Sequence, residues 1–524
     1  MTPPKATART ALLGALLIAH AAAAGEPQEV TFPVSTYLVE GENPLDPAET
    51  KRILAPYTGG ALGLEALQGA ARALEKALRA RGYAFHQVTL PPQALDGGAV
   101  RLQVSAPVLG EIRVTGNRRF SERNIRASLP QLKPAIRSIN TRHLARSLAL
   151  ANRHPAKHTR VRFVAGKAPG TVDAEIRVTE QRPRQAFAWL NNTGTEATGR
   201  SRLGVGLRHS NLWDRDHSAT ATYTTSPEKP DRVSQVGLRY RVPAYAWGGL
   251  WDLLYARSDV DSGTVAESFE VSGRGTVVGL HYTQLLGRRG AYEHELRLGV
   301  TDKLFDNEVD FQGTPLGVDV RSRPLVLRYQ GRRRDPGREW SFYVDYTANL
   351  PGGAHNDARA YADTRAGAGD DWRAIHFGGR MRRAINRWLL VGRFDGQYAT
   401  VPLIPGEQFG LGGARSVRGL EEREVLGDRG YRASLELWAP PLKPAGLRLL
   451  GFLDGGRVTR KAPQPGEIAT QAVASSGLGV RWNWRDRLSL NLDWGHVLNG
   501  VEDPDGQSTR RGDDRVHFNV AVRF

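Results

Sequence analysis

From Arg184 to the terminal Phe524 the chain alternates polar and apolar residues with a period of two and shows no helical period. The segment "RLGVGLRHS" (202–210) sets Leu203, Val205 and Leu207 on one face and Arg202, Gly204, Gly206 and Arg208 on the other. "EWSFYVDYTAN" (339–349) sets Trp340, Phe342, Val344 and Tyr346 against Ser341, Tyr343, Asp345 and Thr347. "LSLNLDW" (488–494) and the terminal "RVHFNVAVRF" (515–524) repeat the pattern. Successive side chains of a strand point to opposite faces, so each segment is a strand with one apolar and one polar surface. Sixteen such segments can be counted. Their connections alternate between short ones ("AINR" 384–387, "WRDR" 484–487) and long ones rich in Gly and Asp (350–370, 402–430, 497–514). A soluble all-β protein would bury the apolar faces between two packed sheets, with no reason for loop lengths to alternate. A barrel with its apolar face in lipid has that asymmetry, and a tilted spanning strand needs about 9–11 residues. The pattern predicts an all-β transmembrane barrel of sixteen antiparallel strands over residues 182–524. In its last strand Phe518, Val520, Val522 and Phe524 share the lipid face and form the expected assembly signal.

Ahead of the barrel the period changes. Lys5 and Arg9 precede an apolar run from Ala11 to Ala24, broken only by Gly14 and His20 and ending in small residues. This is the layout of a secretory signal peptide cleaved after Ala24. A membrane anchor is the alternative, but such a run spans only about 21 Å of a roughly 30 Å hydrocarbon core. Residues 25–106 and 107–181 then read as two similar small α/β units. In the first, a strand through Tyr37–Val39 leads to Gly41 and to Asp46, Pro47 and Glu49, which suit N-cap, N1 and N3. In the second, "EIRVTG" (111–116) leads to Ser121, flanked by Phe120 and Ile125 at the two positions of a hydrophobic staple. A second helix is expected at 64–83, where Leu64, Leu67, Ala71, Leu74 and Leu78 share a face, and another at 141–154. Two strands close each unit: "FHQVTL" and "AVRLQVS", then "TRVRFV" and "VDAEIRV". A β-α-α-β-β order repeated in this way means two like domains in series.

The formal charge is +18 and the pI about 10.2, which fits nucleic acid, an anionic membrane surface or an acidic passenger. There is no cysteine, so disulfide and thiolate chemistry are excluded, and the 13 scattered histidines offer no structural zinc pattern. No H-E-x-x-H, G-x-S-x-G or P-loop occurs, so neither an enzyme nor a cofactor is expected. "NNT" (191–193) matches a glycosylation acceptor but reads more simply as a loop turn. By strand parity Arg202, Arg208, Arg239, Arg380 and Arg481 point into the lumen with carboxylates such as Glu295, Asp345 and Asp493, and at least half of these arginines should be paired with them.

The longest connection, 402–430, joins the eleventh and twelfth segments and starts at the cell surface. It contains "GGARSVRGLEERE" (412–424). In "RLLGFLDGGRV" (448–458), Leu449, Gly451 and Leu453 take the lipid face, leaving Arg448, Phe452, Asp454 and Gly456 toward the lumen. The planar fork of Arg418 suits a carboxylate such as Asp454. Spacing alone leaves two readings open: the loop folds inward onto that wall, or Arg418 is a surface residue and Asp454 one solvated charge among many.

"SVRGL" (416–420) resembles the Val-Arg-Gly-aromatic loop motif of the superfamily that couples periplasmic POTRA domains to a sixteen-stranded barrel, and "FLDGG" (452–456) resembles its Phe-x-Asp-x-Gly wall motif. The two POTRA-like repeats, "LPPQAL" (90–95) and "LNNTGTEATGRSRLGVGLRHSNLWDRD" (190–216) are similar to the narrower two-partner-secretion transporters, the TpsB or haemolysin secretion/activation family. The resemblance spans the mature chain. It implies an outer-membrane location in a Gram-negative bacterium, with the POTRA domains in the periplasm and the loop folded into the pore. Val417, Arg418 and Gly419 would be locked there on Phe452, Asp454 and Gly456. It also implies a secreted partner polypeptide, a large β-helical exoprotein, captured unfolded and passed through the barrel. Outer-membrane lipids and the barrel assembly machinery would be further partners, and nucleic acid would not. Two departures stand out. Leu420 replaces the aromatic, predicting looser packing at the loop tip, and the short stretch between Ala24 and the first strand leaves no room for the N-terminal plug helix many members carry. An insertase for other barrels is the alternative function, although such relatives carry more POTRA units. A passive porin or adhesin leaves the repeats unexplained.

Overall fold

The computed structural model describes residues 30–95, 97–259, 263–265, 269–271, 274–306, 309–311, 314–316, 318–442, 446–503 and 506–524. The predicted leader and the position of a plug helix fall on residues 1–29, outside the described residues. The described residues up to Ala80, with Phe85–Ala106, make one compact unit, and Arg81–Ala84 with Pro107–Phe524 make another.

In the first unit the strand Ala99–Ser105 lies between Thr36–Gly41, to which it is parallel, and Gln87–Thr89, to which it is antiparallel. Helices Pro47–Leu54 and Leu64–Arg81 follow the predicted order, the second ending two residues before the expected limit. Asp46 caps the first helix, its carboxylate accepting the Ala48 N–H at 2.8 Å. Of the expected stripe, Leu67, Leu74 and Leu78 are fully buried, as are Val100 and Leu102 of the sheet; Ala71 is nearly so, but Leu64 at the first position of the helix is exposed. A short pair, Thr31–Pro33 with Ala61–Gly63, was not foreseen because three-residue strands carry no period.

The second unit opens with a like arrangement: Val108–Thr115 parallel to Thr171–Glu180, which pairs antiparallel with Lys157–Ala165. Its helices are Glu122–Ala127, capped by Ser121, and Thr141–Ala151, capped by Asn140. Phe120 and Ile125, the expected staple, are both buried.

Among the described residues sixteen antiparallel strands then close into a barrel, from Arg184–Asn191 to Asp514–Arg523. The eighth strand is in two pieces, Val320–Ser322 and Pro324–Asp335, both paired with Tyr292–Phe305. Pro324 has no N–H for the ladder, which accounts for the interruption. The last strand pairs with the first over five positions, from Asn519 opposite Asn191 to Arg523 opposite Phe187. The outward face is apolar: Leu203, Val205 and Leu207 are exposed, Leu207 at 66%. Exposed Trp213, Trp247, Trp388 and Trp484 lie at or beside the short turns, marking one interfacial girdle. Phe524, at 77% exposure, joins that end, while His517 of the opposite parity is buried inward.

Turns of the barrel grip the preceding α/β layer through buried polar bonds. The Lys157 Nζ lies 2.5 Å from Asp216 Oδ2, and both side chains are sealed from solvent. Lys157 also donates to Asn124 Oδ1 at 2.7 Å, Tyr245 OH donates to Asp216 at 2.6 Å, and Ser147 Oγ donates to the Tyr245 carbonyl at 3.0 Å. Burial pushes the Lys157 ammonium below its ordinary range, with Asp216 pulling it back up. Arg153 of the same layer reaches Glu295 on the seventh strand, so Glu295 is not held by any of the five arginines named from parity.

Candidate functional site

The connection between the eleventh strand (Trp388–Ala399) and the twelfth (Arg429–Trp438) turns into the barrel. A short hairpin, Phe409–Leu411 with Val425–Gly427, forms its stem. Beyond it Gly412 and Gly413 adopt positive φ, and the Ser416 Oγ accepts the Gly412 N–H at 3.2 Å, closing a tight turn. Val417 and Leu420 are fully buried and pack with Leu411 and Val425 of the stem against Val458, Val473 and Val497 of the wall. The predicted looseness at Leu420 is therefore corrected: a leucine fills the wall contact without an aromatic, and such burial contributes about 1.5–3 kcal/mol.

Arg418 lies between these two apolar residues with 3% exposure. Its Nε donates to Asp454 Oδ2 at 2.6 Å and its Nη2 to Oδ1 at 2.8 Å, a two-pronged pair, while its backbone N–H reaches Oδ2 at 3.2 Å. The guanidinium carbon sits 3.5 Å from the centre of the Phe452 ring, so the residue two before Asp454 stacks on the same cation. Gly456, two residues after, leaves room for the hairpin: a Cβ there would come within 2.7 Å of Leu411 Cδ2. Gly419 has φ +97° and donates its N–H to His517 Nε2 at 3.0 Å. All six loop and wall residues named from the motifs therefore meet at one place.

The structure adds partners that parity did not assign to Arg418. Its Nη1 lies 3.0 Å from Glu436 Oε1 and 3.3 Å from Asp493 Oδ1. Asp493 is shared with Arg481 at 2.8 Å, so two arginines face three buried carboxylates. Gly495 was also missed. A Cβ on it would lie 2.7 Å from the Gly419 backbone nitrogen, so the fifteenth strand (Leu488–Asn499) must be bare there for the loop to seat. No local signal separates Gly495 from other strand glycines.

A second anchor holds the loop near its exit. Asp428, wholly buried, accepts both prongs of Arg365 from the long connection after the ninth strand (Arg338–Asn349), at 2.5 and 3.1 Å. It also accepts the N–H groups of Leu403 at 2.7 Å and of Lys461 at 2.6 Å. One carboxylate thus ties together three outer connections. Of the wall residues Phe518, Val520 and Val522, the register sets all three in the last strand, paired with Leu492, Leu490 and Leu488. Among the described residues no cluster of side chains suited to a metal ion occurs.

The family model for haemolysin secretion/activation proteins ShlB/FhaC/HecB matches residues 170–482, more than half of the chain. A model for the ShlB-type POTRA domain matches residues 32–106. The outer membrane transporter CdiB of Escherichia coli is 24% identical over 468 residues, spanning 86% of this chain and 76% of that protein. The solved structure of CdiB from Escherichia coli aligns with a TM-score of 0.75 at 20% identity, covering 97% of this chain and 93% of that one. CdiB from Acinetobacter baumannii aligns with a TM-score of 0.70 at 16% identity, covering 94% and 90%. Both likenesses are of fold. With a closed barrel, a POTRA-type unit and a family match across most of the barrel, the chain belongs to the haemolysin secretion/activation family, the outer-membrane transporters of two-partner secretion.

Proposed function

We propose that this transporter recognises an unfolded, exported partner polypeptide through its POTRA domains and passes it through the barrel, with the inward loop as the element whose docking sets the transport-competent state. The single observation that supports this reading most is the buried Arg418–Asp454 pair, which holds a loop guanidinium on a wall carboxylate rather than in solvent. The POTRA sheets have unpaired edges at which an extended polypeptide could add as a further strand, giving affinity from backbone bonds and selectivity from alternate side chains. Direction comes from folding of the passenger outside the cell, which buries apolar surface and disfavours return. The partner is a secreted exoprotein of large β-helical type, and assembly of the barrel proceeds through the C-terminal strand with Phe518, Val520, Val522 and Phe524.

The test is a double-mutant cycle read as secretion of the partner, with barrel insertion checked in parallel. Removing one member of a buried ion pair costs about 3–5 kcal/mol because the other charge is stranded. Arg418→Ala leaves Asp454, Glu436 and Asp493 without their central cation, whereas Asp454→Ala leaves Arg418 with two carboxylates still in reach. Both variants should insert and both should secrete poorly, Arg418→Ala more so, and the double variant should match Arg418→Ala. Fully additive defects would mean the residues act separately and would end the docked-loop reading.

A further inference from the structure

The inward arginines divide by what meets them. Arg239 is paired with Asp252, its Nε 2.8 Å from Oδ1, and Arg481 with Asp493. Arg202 donates to the Gly199 carbonyl at 2.6 Å, and Arg208 to Thr220 Oγ1 at 3.2 Å. Arg380 differs: among the described residues it has neither an ion pair nor a side-chain hydrogen bond. The register places Arg393 directly opposite it across the tenth and eleventh strands. Serines stand directly opposite each of them on the outer sides, Ser341 beside Arg380 and Ser434 beside Arg393; Glu339 and Glu436, two positions along, act on them only from beyond ion-pair distance. Directly opposed side chains start about 4.5–5.5 Å apart at Cβ, where like charges repel. The Nε of Arg393 is buried and has no hydrogen-bond partner, which is a cost for a charged donor.

Place matters as much as charge. Arg380 and Arg393 line a lumenal cavity of about 990 Å³, and Arg393 also lines a second one of about 560 Å³ beside the turned-in loop. Arg393 therefore stands where the two cavities approach each other, on the route between the periplasmic half of the lumen and the loop. Two guanidinium forks facing across a ladder, one with an idle buried donor, form a receptor for an oxyanion, which would cancel their repulsion and accept the free N–H groups.

We infer that Arg380 and Arg393 form an oxyanion-binding station in the lumen, occupied by the carboxylates of a polypeptide in transit or by a free oxyanion such as phosphate. The station rests on these two arginines and not on Arg418, so an equilibrium binding measurement separates its failure from failure of the docked loop. The probe is fluorescein-labelled decaglutamate, titrated by anisotropy onto the detergent-purified full chain, with inorganic phosphate as competitor. The variant carrying Arg380→Gln and Arg393→Gln should bind the peptide at least about ten-fold more weakly, the scale of one charge-assisted hydrogen bond. A control with the same loss of charge at exposed loop positions outside the POTRA sheets, Arg200→Gln and Arg359→Gln, should stay within about two-fold of the parent. Heat-modifiable migration of each variant checks that the barrel is folded. Peptide binding that depends on the two lumenal arginines and resists phosphate assigns the station to the polypeptide. Displacement by phosphate with the same dependence assigns it to free oxyanions as well. Equal weakening in the lumenal and control variants, or no saturable binding of either probe to the parent, would overturn the station.

Discussion

At Gly495 the absence of a side chain decides whether the loop can seat. A methyl group there would meet the Gly419 nitrogen at 2.7 Å, closer than real Cβ contacts come, and the obstacle is backbone that cannot swing aside. Gly455, on the neighbouring wall, is the useful contrast, since a Cβ there would meet its nearest atom, the Val473 carbonyl oxygen, at 3.4 Å. Gly495→Ala should therefore reproduce the secretion defect of Arg418→Ala although no charge is altered, and Gly455→Ala should secrete nearly as the parent does. Equal secretion by the two glycine variants would show that the loop tolerates displacement from the wall. Arg418 and Asp454 were legible in the chain because strand parity fixes which way Asp454 points and the resemblance supplies its partner. Glu436, His517 and Gly495 were not, because their nearness to the loop depends on the register of strands far apart in sequence, which a period of two does not specify.

Among the elements, the joint between the second α/β layer and the barrel turns carries its own ion pair. Lys157 and Asp216 are each enclosed, and Asn124 and Tyr245 complete their hydrogen bonds. Leaving one buried charge without the other should cost about 3–5 kcal/mol locally. Lys157→Ala should speed amide hydrogen exchange in the 213–216 turn and in the strand Lys157–Ala165, with the barrel strands distant from the joint unchanged. Protection in that turn equal to the parent's would contradict a role for the pair in holding the layer. Parity arguments placed the barrel strands well because lipid outside and water inside impose one rule on every residue. They said nothing about this joint, where a lysine in a POTRA strand is satisfied by an aspartate beyond the end of a barrel strand. The Asp428–Arg365 tie escaped for the same reason: both residues lie in connections, where no periodicity exists.

For the whole molecule, division of labour is the testable feature. The barrel closes on itself through strand pairing from Arg184–Asn191 to Asp514–Arg523, without a strand from the first α/β unit. Removing residues 30–105 should leave a barrel that inserts and conducts ions but exports no partner; normal export by that chain would remove recruitment from the POTRA domains. The central claim, that the loop is held in the lumen by Arg418 on its wall, is tested most directly by single-channel conductance in planar bilayers. Arg418→Ala frees the loop from Asp454, Glu436 and Asp493 together, so the conductance of this variant should rise well above that of the parent, with Asp454→Ala shifting in the same direction by less. Indistinguishable conductance in the parent and in Arg418→Ala, with both barrels inserted and folded, would contradict the account.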